Sequence, residues 1–205
     1  MLDYERDLWA KGYRNVGGCD EAGRGPLAGP LVVACVVLDP EVSIEGINDS
    51  KKLSKAKREG LFDTIREQAK FYEIVTFSAS EVDTLNVYQA SKQGMLKACE
   101  RIGTIDYMLT DAIPINHAPV PVRSIVKGDQ KSASIAAASI LAKVTRDRYM
   151  EEIAKKYPVY GFERHKGYPT KGHLAALNRD GTCQEHRKSF GPVRAIIERQ
   201  TQLKL

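Results

Sequence analysis

What this sequence lacks narrows its class first. None of the four cysteines, Cys19, Cys35, Cys99 and Cys183, stands in a Cys-x-x-Cys pair. That spacing suits neither a zinc site nor a small disulfide scaffold, so reduced thiols and a cytoplasmic location are expected. Cys19 itself reads as an apolar strand residue. No apolar run reaches the length of a transmembrane helix, and no membrane partner is expected. The opening residues, Met1-Leu2-Asp3-Tyr4-Glu5-Arg6, hold no apolar stretch of the kind a secretory signal needs. Repeats, low-complexity stretches and long linkers are absent too. The histidines, His117, His165, His173 and His186, are scattered without metal-ligand spacing.

What is present fits one domain over residues 1–205, with room for a small helical appendage. Such a chain can bury a core without covalent staples, and 42% hydrophobic residues is an ordinary globular share. The net charge of +5 says little alone, but the basic residues cluster. One cluster is Lys51, Lys52, Lys55, Lys57 and Arg58; a second is Lys143, Arg146 and Arg148; a third is Arg164, His165, Lys166 and Lys171. Such clusters suit a polyanion, although each alone also resembles a solvated face.

Apolar and β-branched runs predict strands over 32–38 and 71–77, with shorter ones over 107–110 and 123–126. A first strand over about 15–19 precedes a glycine-rich turn. Ser54 caps a predicted helix reaching about residue 68, and Ser80 with Asp83 has the capping-box spacing for one reaching about 101. A third helix is predicted over 132–157, where Pro158 follows; Thr170 caps a short one ending near Gly181, and Pro192 opens the last. The order is α/β, with a sheet that starts antiparallel and ends parallel. Residues from about 158 to 205 read as a helical cap on the same domain.

The most informative stretch is Gly18-Cys19-Asp20-Glu21-Ala22-Gly23-Arg24-Gly25-Pro26. Two adjacent acids close a strand. On regular strand geometry they face opposite sides of the sheet, so they meet at one ion only where the backbone departs from it. Gly23, Gly25 and Pro26 supply a departure. The glycine spacing matches neither a Walker loop nor a dinucleotide fingerprint, and a solvated surface turn is the plainer reading of these residues alone. A second acid-bearing strand end is Met108-Leu109-Thr110-Asp111-Ala112, and a third segment is Lys127-Gly128-Asp129-Gln130-Lys131. Three segments each deliver an acid where α/β proteins place their sites. Carboxylates without Cys or His suit Mg²⁺ or Mn²⁺, and such a group repels itself without a cation. Two ions of this kind can flank a phosphodiester.

On the long predicted helix Ser139, Lys143 and Arg146 share one face, while Ile140, Leu141 and Val144 share another that is assigned to the core. Ala136, Ala137 and Ala138 allow a close approach to the sheet. Lys143 and Arg146 facing phosphate or the acids, and an amphipathic helix with a solvated stripe, are equally open at this point.

Nearly the whole chain resembles ribonuclease HII. The resemblance is carried by Asp20-Glu21-Ala22-Gly23-Arg24-Gly25-Pro26, Asp49-Ser50-Lys51-Lys52-Leu53, Lys127-Gly128-Asp129, the stretch from Ala137 to Arg148, His165-Lys166-Gly167-Tyr168-x-Thr170 and His186-Arg187-x-Ser189-Phe190. It implies a ribonuclease H-like fold: a five-stranded mixed sheet flanked by helices. It also implies that Asp20, Glu21, Asp111 and Asp129 are the catalytic, metal-binding acids. Gly23, Arg24 and Gly25 then recognise the ribose 2′-hydroxyl, Tyr168 stacks on the neighbouring deoxyribose, and Lys51 contacts phosphate, with Ser139, Lys143 and Arg146 as further substrate contacts.

The activity so implied is Mg²⁺- or Mn²⁺-assisted hydrolysis of RNA in RNA–DNA hybrids. Cleavage also falls 5′ of single ribonucleotides embedded in DNA, leaving a 3′-hydroxyl and a 5′-phosphate. With the first acids at residue 20, the extra N-terminal domain of the sister family, ribonuclease HIII, is not expected; a monomer is. The competing readings are another nuclease of this fold, such as a junction resolvase, and a non-catalytic nucleic-acid-binding module. The tail Gln200-Thr201-Gln202-Leu203-Lys204-Leu205 resembles bacterial sliding-clamp-binding peptides, although a frayed terminus is its plainer reading.

Overall fold

The computed structural model describes residues 1–42, 44–47 and 53–202. Its strands are β1 (Val16–Ala22), β2 (Leu31–Val37), β3 (Phe71–Phe77), β4 (Tyr107–Asp111) and β5 (Val122–Ile125). They form one sheet in the order β3-β2-β1-β4-β5. β1 runs antiparallel to β2, with Cys19 opposite Cys35, and parallel to β4, with Cys19 opposite Thr110. β4 continues parallel to β5. The expected five-stranded mixed sheet is therefore present, antiparallel at first and parallel later. Every residue of β2 is buried, which is why it reads as an unbroken apolar run rather than an alternation.

The helices are α1 (Asp3–Ala10), α2 (Lys55–Gln68), α3 (Ala79–Leu85), α4 (Val87–Ile102), α5 (Ala133–Lys156), α6 (Phe162–His165), α7 (Lys171–Asp180) and α8 (Gly191–Gln202). Ser54 and Thr170 cap α2 and α7 by accepting the Lys57 and His173 amides, as their positions predict. One capping expectation is corrected. The capping box is Ser78 with Glu81, not Ser80 with Asp83. The Asp83 carboxylate is engaged elsewhere, by the amides of Lys188 and Ser189 and the Ser189 hydroxyl. The helix expected from there to about residue 101 is also two helices. Asn86 has φ +61° between them, and its side chain caps the second by accepting the Tyr88 and Gln89 amides.

The chain divides into two compact units. The first comprises Met1–Ala22, Val32–Val75 and Ser91–Val144. Its main apolar cluster joins Val32, Ala34 and Val36 of β2, Phe62 and Ile65 of α2, and Ala136, Ala137, Ile140, Leu141 and Val144 of α5. The predicted core face of the long helix is thus the observed one, and its alanines are fully buried. The second unit comprises Gly23–Leu31, Thr76–Ala90 and the chain from Thr145 onward. Ala28, Met150, Tyr160, Phe162 and Ala176 pack together in it, and so do Leu27, Leu177, Val193 and Ile196. The predicted cap from residue 158 falls within this unit, which also draws in two earlier segments. Among the described residues no helix is long and apolar enough to cross a membrane.

Candidate active site

The acids lie in the first unit. β1 does not end at residue 19 but runs through Ala22, so Asp20 and Glu21 are both inside the ladder, opposite Ala34 and Val33. The departure from strand geometry expected at the acids begins only after them, at Gly23 with φ +104°. Strand pleating turns Asp20 and Glu21 to opposite faces, yet Glu21 is the leading like charge on Asp20, so at the strand end the two carboxylates stay within electrostatic reach of each other. Asp20 is buried and Glu21 half-buried. Because Cys19 pairs with Thr110, Asp20 and Asp111 are the next residues along neighbouring parallel strands. They share one face at a strand spacing of about 4.8 Å.

Gly18, one pleat before Asp20, lets α5 come close. A Cβ there would sit 2.3 Å from the backbone of Ser134 and Ile135. Just ahead of α5 the chain makes a short 3₁₀ turn, Gly128–Gln130, carrying the buried Asp129. The Gly128 amide donates to Asp111 Oδ1 at 2.7 Å, linking the turn to the end of β4. The turn is held from the other side by Glu5 of α1, also buried. Its Oε1 accepts the Ser132 hydroxyl at 2.5 Å and the Ser134 hydroxyl at 2.6 Å.

Electrostatics mark the same place. Burial holds the Asp20 carboxyl well above the usual carboxylate range, and the charges of Glu21 and then Asp111 push it further. The Glu21 amide and the Ser139 hydroxyl, both donating to Asp20, oppose the shift. Ser139, expected to contact substrate, is thus observed on an acid. Among the described residues no three His, Cys, Asp or Glu side chains form a ready metal cage. Like charges on neighbouring carboxylates repel one another, which works against a closed cage. The donor set is nonetheless all oxygen, which fits a hard divalent cation and not zinc or copper.

The second unit carries Gly23, Arg24, Gly25 and Tyr168. Gly23 is buried, while Arg24 and Gly25 are exposed; a Cβ on Gly25 would lie 3.6 Å from the Tyr168 ring, which is 45% exposed. Two buried guanidiniums fix this segment. Arg146 donates to the carbonyls of Pro30 at 2.9 Å and Ala28 at 3.1 Å. Arg187 donates to Gly29 at 2.9 Å and to Arg24 at 3.3 Å. A Cβ on Gly23 would stand 2.4 Å from Arg146 Nε, so residue 23 must be glycine for contact as well as for φ. Burial lowers the Arg146 pKa to about 10; burial and then the Arg146 charge lower that of Arg187 to about 9.

Several expectations are corrected here. Arg146 is 1% exposed and turned onto backbone carbonyls, so it presents no charge to phosphate. A guanidinium has five donors, and a glycine-rich turn leaves carbonyls that need them. Lys143 is half-buried, consistent with the edge of a polar stripe. The third basic cluster is divided: Lys166 pairs with Glu151 at 2.8 Å and His165 stacks on His173, whereas Arg164, beside Glu163, and Lys171 are exposed. Lys51 and the motif around it lie outside the described residues, as do Leu203, Lys204 and Leu205 of the tail.

Sequence reading missed one assembly. Three of the four histidines that look scattered along the chain come together in the second unit. His165 and His173 stack at 4.5 Å, and His173 and His186 meet nitrogen to nitrogen at 3.0 Å. No spacing rule signals this, because the three residues sit on different elements.

A five-stranded mixed sheet in this order, with acids at the ends of neighbouring central strands, defines a ribonuclease H-like protein. A family profile for Ribonuclease HII matches residues 17–193. Ribonuclease HII of Halalkalibacterium halodurans is 53% identical over 98% of this chain and 77% of its own length. Among solved structures, the ribonuclease H2 of Pyrococcus horikoshii is similar with a TM-score of 0.78 and 28% identity, over 92% of this chain and 99% of that one. The ribonuclease HII of Archaeoglobus fulgidus, solved in complex with PCNA, is similar with a TM-score of 0.73 and 26% identity, over 86% of this chain and 95% of that one. The chain belongs to the ribonuclease HII family. It is accordingly a hydrolase, an endoribonuclease of RNA–DNA hybrids.

Proposed function

We propose that this enzyme hydrolyses the RNA strand of RNA–DNA hybrids and also cuts on the 5′ side of single ribonucleotides embedded in duplex DNA, leaving a 3′-hydroxyl and a 5′-phosphate. The observation that carries this reading is the strand register that sets Asp20 beside Asp111, with the Asp20 carboxyl raised by burial and by its acidic neighbours. Asp20, Glu21, Asp111 and Asp129 would hold Mg²⁺ or Mn²⁺. Bound there, the metal supplies an activated water and charge stabilisation at the leaving oxygen. The Ser139 hydroxyl orients Asp20, and the Gly128 amide orients Asp111.

Selectivity is assigned to the second unit. Arg187 holds the Arg24 carbonyl inward, and the peptide between Arg24 and Gly25 is trans, so the Gly25 N–H points the opposite way. An outward backbone N–H suits a ribose 2′-hydroxyl, the group that separates RNA from DNA locally. The exposed ring of Tyr168, close to Gly25, can pack on the adjoining deoxyribose without reading sequence. Such an activity would serve primer removal and ribonucleotide excision, and the enzyme would act as a monomer.

The deciding experiment compares a DNA duplex holding one ribonucleotide with the same duplex in DNA alone, with Mg²⁺ or Mn²⁺ added. A single cut 5′ of the ribonucleotide is expected. Equal cutting of both duplexes would favour a junction-resolvase-like nuclease, and binding without products a non-catalytic module. A sliding clamp is proposed as a partner of the tail, supported by the archaeal relative solved with PCNA. Loss of clamp pull-down on removing the last six residues tests it.

A further inference from the structure

Two histidines of the second unit are buried side by side, His173 at 0% exposure and His186 at 1%. Their Nε2 atoms lie 3.0 Å apart, so one hydrogen stands between them. The outer nitrogens decide which ring supplies it. The Cys183 backbone N–H can only donate, and it reaches His186 Nδ1 at 2.9 Å. The Tyr168 carbonyl can only accept, and it lies 2.9 Å from His173 Nδ1. His186 therefore carries its hydrogen on Nε2 and His173 on Nδ1. The bonds run in one direction, from the Cys183 N–H through His186 and His173 to the Tyr168 carbonyl. A further proton on either ring would set two N–H groups against each other.

The Tyr168 carbonyl already accepts the Thr170 amide at 2.8 Å. His173 is thus not needed to satisfy it; the imidazole fixes its direction. The turn ahead of Tyr168 is fixed as well, since His165 Nδ1 accepts the Gly167 amide at 3.3 Å and the His165 carbonyl accepts the Tyr168 amide at 2.9 Å. The main chain around His186 reaches the other half of the selectivity apparatus. His186 bridges to Ala28, the Arg187 amide donates to the Leu27 carbonyl at 2.8 Å, and the Leu27 amide donates to the Gly167 carbonyl at 2.8 Å. Residue 186 therefore joins Tyr168, through its side chain, to the segment that follows Gly23-Arg24-Gly25.

We infer that His186 and His173 form a neutral, directional imidazole pair that sets Tyr168 against the Gly23-Arg24-Gly25 segment and fixes how sharply the enzyme senses the ribose-to-deoxyribose step. Both are positioning residues, acting through Tyr168. The inference rests on the substrate-sensing role given to Tyr168 above.

The test measures kcat and KM on a single-ribonucleotide duplex and on a uniform RNA–DNA hybrid, for the wild type, Tyr168→Ala, His186→Phe and the double variant. His186→Phe keeps an aromatic ring and removes the hydrogen bonds. It is expected to lower kcat on the single-ribonucleotide duplex about threefold to tenfold relative to the hybrid, with KM little changed. The double variant should lose no more than Tyr168→Ala alone. Should Tyr168→Ala leave the ratio of the two substrates unchanged, the role of Tyr168 itself falls. Should Tyr168→Ala shift that ratio while folded His186→Phe does not, the role of Tyr168 stands and the imidazole pair is overturned. Where His186→Phe does not fold, ¹⁵N-resolved imidazole spectra of the wild type decide. A hydrogen on His186 Nε2 and one on His173 Nδ1 at pH 6 supports the pair; a charged ring or the reverse tautomers overturn it.

Discussion

In the first unit the side chains of interest are acids at the ends of β1 and β4 and on the turn before α5, and burial with the charges of Glu21 and Asp111 raises the proton affinity of Asp20. In the second unit the corresponding side chains are basic and buried, and they are committed to backbone carbonyls. The first region groups carboxylates at neighbouring strand ends, the arrangement for which a bound cation is proposed above. The second satisfies its buried guanidiniums internally, on backbone carbonyls of the glycine-rich segment. In the proposed mechanism catalysis and substrate selectivity make opposite demands: acids grouped to hold a cation repel one another, whereas a recognising backbone must be pinned. Removing a charge should therefore relieve strain in one region and create it in the other.

That contrast breaks most visibly at the acids. Asp20→Asn or Asp111→Asn should lower cleavage by about 10³-fold or more, since metal-assisted stabilisation is worth several kcal/mol. The metal-free protein should at the same time melt no lower than the wild type, because a repulsion is removed. Near-normal turnover by either variant, measured on an RNA–DNA hybrid, would end the metal role. In the second unit Arg187→Met should do the reverse, costing about 2–4 kcal/mol of stability by stranding the Arg24 and Gly29 carbonyls. Urea unfolding measures this, and an unchanged midpoint would show that water replaces the guanidinium. Tyr168→Ala should reduce cleavage of a single-ribonucleotide duplex by roughly tenfold, in line with a stacking energy of about 1–3 kcal/mol. Its effect on duplex affinity should be smaller, and equal effects on both would return Tyr168 to a plain surface ring.

The smallest expected effect is on pH. Burial, then the neighbouring His173, lowers the His186 pKa to about 4, and burial lowers that of His173. A histidine whose pKa is depressed in the folded state binds fewer protons there than in the unfolded chain. Stability is then full above the unfolded value near 6.5 and falls as pH drops below it. Between pH 7 and 5.5 the loss should be about 1 kcal/mol. Thermal melts of the wild type and His186→Phe over that range measure it, and parallel curves would remove the histidines as its source.

Much of this was legible beforehand. The strand positions, the caps at Ser54 and Thr170 and the core face of α5 follow from periodicity and short-range hydrogen bonding, which a sequence records directly. The acids could be nominated, but the register that pairs Asp20 with Asp111 could not, because it depends on how β1 and β4 align across a long separation. Arg146 illustrates the opposite failure. Its spacing with Ser139 and Lys143 marks a polar stripe, yet helical spacing fixes direction only and cannot reveal that glycine-rich backbone supplies carbonyl partners on that side.

Sequence alone determined the chemistry on offer: oxygen ligands without zinc-type donors, basic residues in excess, an α/β order and the motifs that mark the family. The tertiary structure decided which of those groups stay available. It put Asp20 and Asp111 on one face of adjacent strands, turned Arg146 and Arg187 inward, and gathered His165, His173 and His186 from separate elements. Long-range contacts and burial set whether a charge meets water, a carbonyl or a like charge, and neither is written in local sequence spacing.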